Sequence, residues 1–103
     1  MKNIKKIIAL VLTLSLVFAF AGCGSKEEKK TIGIIQFGSH ASLNNCYDGI
    51  MNGLKENGIN EEDYNIEYVN SNFDASVSQT QANNLVNKKA AVIIAIATPS
   101  AVA

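Results

Sequence analysis

Apolar residues along this chain fall into three spacings. Residues 7–21 are apolar almost throughout, broken by Thr13 and Ser15. Residues 31–37 (TIGIIQF) and 90–97 (AAVIIAIA) are short, β-branched and apolar at nearly every position. That is the pattern of strands buried on both faces of a parallel sheet. Between them, Leu43, Cys46, Tyr47, Ile50, Met51 and Leu54 recur three and four apart, predicting a helix over 42–57 with one apolar stripe. Ser42 is its expected cap and Gly58 its expected stop. Residues 64–70 (YNIEYVN) alternate and hold aromatic and β-branched residues, a second strand. A second helix is expected over 75–89, capped by Asp74, with Ser78, Gln81, Ala82, Leu85 and Val86 toward the sheet. Thr98-Pro99 then opens another helix. Thr98 is expected at the cap and Pro99 at the first helical position, where its missing N–H costs nothing. The order β-α-β-α-β implies an α/β fold, a parallel three-layer sandwich with right-handed crossovers.

Charge divides the chain where the pattern does. Residues 1–22 hold Lys2, Lys5 and Lys6 and no acid. The other 81 residues hold six lysines against nine acids, a net of −3. A basic start, an apolar run and small residues make 1–22 a secretory signal. The run is short for a membrane span, which takes about 20 residues. Residues 23–30, polar and charged, suit a flexible tether. The body is 31–103. An overall net charge of zero speaks against a nucleic-acid partner, which would select a basic face. One histidine and one spare cysteine make no metal site, and no cofactor motif is present. Gly33 and Gly38 have a phosphate-loop spacing, but Ser39 stands where the lysine belongs and the glycines lie largely in a strand. Ser39 and His40 lack a visible third group to form a nucleophile–base system, so an enzyme is not expected.

Phe20-Ala21-Gly22-Cys23 resembles the lipobox of bacterial lipoproteins, with phenylalanine where an aliphatic residue is usual. The resemblance implies cleavage before Cys23 and transfer of a diacylglycerol to its thiol, leaving a palmitate-bearing membrane anchor. Cys46, then alone, is expected to be a small buried hydrophobe.

The body resembles the substrate-binding lipoproteins of ABC importers, of the tryptophan/tyrosine type. The residues that carry this are Ile32-Gly33-Ile34-Ile35-Gln36, the run from Tyr47-Asp48-Gly49 to Glu56-Asn57-Gly58, and Gln81-Ala82-Asn83-Asn84-Leu85-Val86 after Asn72 and Asp74. Ala95-Ile96-Ala97-Thr98-Pro99-Ser100-Ala101 completes it. The resemblance implies a two-lobed, periplasmic-binding-protein-like fold that closes on a small solute, such as an aromatic amino acid, and docks on an ABC permease outside the cell. Residues 31–103 would be the first half of the N-terminal lobe, and the chain a piece of a longer protein. The alternative is a short surface lipoprotein with a structural or interaction role and no ligand cleft.

In an open parallel sheet, ligands sit beyond the carboxyl ends of the strands. The expected ligand contacts are therefore Gln36, Ser39 and His40 after the first strand, Asn72 after the second, and Thr98, Ser100 and Ala101 after the third. The last group would offer hydroxyls and the N–H groups of Ser100 and Ala101 to a carboxylate. Tyr47 and Phe73 are candidates to stack on an aromatic ligand, with packing the stronger expectation for Tyr47.

Overall fold

A computed structural model describes residues 2–22 and 28–103. Its elements are α1 (Lys2–Gly22), β1 (Lys30–Gln36), α2 (Ala41–Glu56), β2 (Tyr64–Asn70), α3 (Ala75–Asn87), β3 (Val92–Ile96) and α4 (Thr98–Ala101). The strands form one parallel sheet in the order β2-β1-β3, with Ile34 opposite both Tyr68 and Ile94. This is the α/β arrangement the alternating pattern predicts.

The helices lie on opposite faces, and β1 shows it. Side chains along a strand alternate between faces. Gly33 faces α3, because a Cβ there would stand 2.6 Å from Leu85 Cδ1. Gln36, three residues on and hence on the other face, donates from Nε2 to Asn44 Oδ1 of α2 at 2.7 Å. Three layers follow. The apolar core is Ile32, Ile34 and Ile35 of β1 with Leu85 and Ile96.

Several helix ends match their sequence signals. Gly58 (φ +74°) closes α2, its N–H donating to Lys55 O and that of Ile59 to Leu54 O. This paired pattern satisfies carbonyls that a helix end leaves open. The same pattern ends α3 through Lys89 and Ala90, with Lys89 at φ 57°. Asp74 caps α3, its Oδ1 accepting from the N–H groups of Ser76 and Val77.

Other expectations change. His40, not Ser42, caps α2: its Nδ1 accepts from the Ser42 N–H at 3.3 Å. β3 begins at Val92 rather than residue 90, because the turn closing α3 takes up Lys89 and Ala90. Val86 is exposed; next to Leu85, it lies about 100° around the helix and off the buried stripe. Cys46 is exposed, not buried. It borders a shallow apolar groove with Gly49, Ile50, Ala95, Ile96 and Ala97, on the side where β3 is the outermost strand.

The side chains of residues 3–13 in α1 are all exposed. Among the described residues, no helix is long and apolar enough to cross a membrane. Cys23 and most of the 23–30 tether lie outside the described residues.

Candidate functional site

Three loops gather at the carboxyl ends of the strands, and two of them are stitched together. The Ser71 N–H donates to Gln36 O at 2.9 Å, and the Phe73 N–H to Phe37 O at 2.7 Å. Asn70 Nδ2 donates to Ser39 Oγ at 3.1 Å. Ser71 is fully buried, and its Oγ donates to Gln81 Oε1 at 2.7 Å while Gln81 Nε2 donates to Asn70 O at 3.0 Å. These bonds hold the loop after β2 against the loop after β1.

The third loop stands on different support. Ala97 has φ 81° and ψ 150°, a backbone region that glycine alone adopts readily and that costs other residues about 1–3 kcal/mol. Its carbonyl accepts from the Ser100 and Ala101 N–H groups at 3.1 and 3.2 Å. Ser100 is tied to α3, with Ser78 Oγ donating to Ser100 Oγ at 3.2 Å in a buried pair.

The sequence-derived contacts therefore separate. Thr98 is exposed, and its hydroxyl has no hydrogen-bond partner among the described residues. It occupies the first helical position after Ala97, one place later than expected. Ser39, His40 and Asn72 are exposed on the crest. Ser39 Oγ has a second lone pair to offer beyond the one Asn70 uses. His40 Nδ1 is committed to capping.

Three expectations need correction. Ser100 is 4% exposed and turned into the α3–α4 contact. The N–H groups of Ser100 and Ala101 close the helical turn onto Ala97 O instead of pointing outward. Gln36 is buried, and its Nε2 donates to Gly38 O and Asn44 Oδ1 at 2.8 and 2.7 Å. In each case the group already has a partner inside the lobe, so the residue shapes the crest from beneath.

Tyr47 packs on Tyr68, ring centroids 4.6 Å apart, on the helix-covered face rather than the crest. Phe73 stands on the crest. Its ring meets Phe37 edge-on at 5.8 Å and 89° and remains 56% exposed. Ser71 and Asn70 were not singled out from the sequence, and Gln81 only as a residue facing the sheet and part of the family run. The available signal was a Ser-Asn run after a strand, which marks a turn but not its partners. No group of three or more His, Cys, Asp and Glu among the described residues is placed to hold a metal ion.

A doubly wound lobe with its polar crest at the strands' carboxyl ends is the build of a ligand-receiving α/β domain. Comparison with known proteins makes that specific: the chain belongs to the ABC transporter substrate binding protein family, whose model matches residues 31–103. Members are solute-binding components of transporters, not enzymes. A tyrosine-binding protein of Clostridioides difficile (strain R20291) is 34% identical over 113 residues, covering 94% of this chain and 33% of that protein. The crystal structure of an ABC domain from Streptococcus pneumoniae in complex with L-Trp superposes with a TM-score of 0.68 at 38% identity, covering 72% of this chain and 25% of that one. The ligand-free, open form of a Clostridium difficile substrate-binding protein with adhesive properties gives the same TM-score at 34% identity, covering 70% and 25%. The chain thus spans about a third of the curated relative and a quarter of each solved structure.

Proposed function

We propose that this chain supplies part of the ligand-receiving lobe of an extracytoplasmic receptor that captures an amino acid with an aromatic side chain and passes it to an ABC permease. The relatives bind tyrosine in one case and L-Trp in another. The observation that carries the reading is the crest itself. The exposed polar residues Ser39, His40, Asn72 and Thr98 stand at the carboxyl ends of three parallel strands, while the buried polar groups beneath them are already paired. Thr98 offers the ligand a hydroxyl without an internal partner.

The experiment is a melting series of the full-length protein with L-tryptophan, L-tyrosine and L-alanine. Ligand that binds the native state raises the melting temperature with concentration. A rise with the aromatic pair and none with alanine is expected; no rise with any of them leaves the surface-lipoprotein role instead. Thr98→Ala is expected to weaken binding by about 1 kcal/mol, near fivefold, if a buried hydrogen bond is lost. Unchanged affinity makes Thr98 a turn residue.

The anchor belongs to the same proposal. Residues 1–22 act as the signal and Cys23 is acylated, which the sequence Phe20-Ala21-Gly22-Cys23 supports. Cys23→Ser is expected to move the protein from the membrane fraction to the medium; unchanged retention defeats the anchor.

A further inference from the structure

We infer that Phe73 is the residue that selects an aromatic side chain in the ligand, an inference that rests on the binding function proposed above. Asn72 and Phe73 are consecutive non-glycine residues at positive φ, 51° and 63°. Such residues are held only where their surroundings over-determine the backbone, and they cluster at ligand clamps.

Here the surroundings do so. The Asn72 N–H donates to Asn70 Oδ1 at 2.9 Å. The Phe73 N–H reaches Phe37 O, and the Asp74 N–H reaches Ser71 O. Ser71 itself is fully buried and bonded to Gln81.

What this turn holds is a ring. It lies against the backbone of Gly38, where a Cβ would come within 2.4 to 2.5 Å of three ring carbons. Gly38 is buried and Phe37 meets the ring edge-on. The ring is thus fixed on two sides and open on the rest, 56% exposed at the ligand-facing end of the sheet. Burying an aromatic ring is favourable, so a turn that strains two residues to keep one in solvent is accounted for by what the ring receives. A second aromatic ring, edge-on or offset, is the complement such a surface takes best. The polar residues Ser39 and Asn72 flank the platform in sequence and leave the charged part of an amino acid to the polar crest.

The test is calorimetric titration of the full-length protein with L-tryptophan, L-tyrosine and L-leucine. Wild type is compared with Phe73→Leu, Phe73→Tyr and Gly38→Ala, each checked for an unchanged melting temperature without ligand. Phe73→Leu is expected to lower affinity for the aromatic ligands by about tenfold and to narrow their margin over leucine. Phe73→Tyr is expected to keep both. Gly38→Ala, which forces the ring off its seat, is expected to act in the direction of Phe73→Leu. An aromatic margin kept within about twofold in Phe73→Leu overturns the inference and leaves the binding function standing. So does an equal loss across all three ligands, which makes Phe73 a packing residue. A wild type that binds neither aromatic amino acid removes the binding function, and the inference with it.

Discussion

β1 and β3 are near twins in sequence and opposites in burial. Both are β-branched and apolar, and they pair in register, Ile32 beside Val92 and Ile34 beside Ile94. Yet Ile34 is 0% exposed while Ile93 is 36% and Val92 52% exposed. The difference is position. β1 has a strand on each side and a helix layer on each face; β3 has β1 on one side and the apolar groove by Cys46 on another. An apolar run states that a strand can be buried on both faces. Its neighbours decide whether it is. The crest repeats the contrast: the loops after β1 and β2 share several hydrogen bonds, whereas the end of β3 takes one, from the Phe37 N–H to Ile96 O, and its loop is fixed to α3 by Ser78 and Ser100.

The widest separation between the two strands should come from truncating one isoleucine in each. Ile34→Ala is expected to cost about 2–5 kcal/mol, the range for emptying a packed site. Ile93→Ala, 36% exposed, is expected to cost about 1–2 kcal/mol by the area it removes from contact. Urea denaturation of the full-length protein reads both. Equal costs would break the comparison and show β3 to be covered in the intact protein.

A smaller effect probes the stitching. Ser71→Ala leaves Gln81 Oε1 without its donor in a part-buried site, and a loss of about 1–3 kcal/mol is expected. A neutral result in thermal melting would mean that the backbone bonds alone hold the two loops.

The smallest effect is of opposite sign. Ala97→Gly removes the strain at φ 81°, but glycine returns about 0.4–1 kcal/mol of unfolded-chain entropy. A net gain of about 0.5–1 kcal/mol is expected against a strain of about 1–3 kcal/mol. A loss of stability would show that the alanine methyl is packed more usefully than its backbone is strained.

The order of elements was legible because periodicity reports each element's own burial. Asp74 and Gly58 were legible because capping is local. What stayed hidden crosses between elements. Nothing in the string TPSA tells that Ser100 bonds to Ser78, 22 residues earlier. Nothing in IIQF tells that the Gln36 amide turns down toward Asn44 instead of up toward a ligand. His40 stands as cap in place of Ser42 because its imidazole Nδ1 accepts the N–H of Ser42 itself, two residues on. Composition ranks hydroxyls and amides as caps and so pointed to the wrong one. The left-handed pair at Asn72 and Phe73 was equally hidden, since phenylalanine carries no preference for that conformation.

Gly33 works as a datum for the whole crest. A Cβ there would meet Leu85 Cδ1 at 2.6 Å and Cδ2 at 2.9 Å, so the missing side chain is the notch in which Leu85 sits. The notch sets how far α3 stands along β1. Ser78 is seven residues before Leu85 on the same face of α3, roughly 10 Å along the axis, and Ser78 holds Ser100. The height of the third loop above the sheet is therefore gauged from a point deep in the central strand. A methyl group added at Gly33 would displace the Leu85 side chain first, and any shift of α3 that followed would reach the third loop through Ser78.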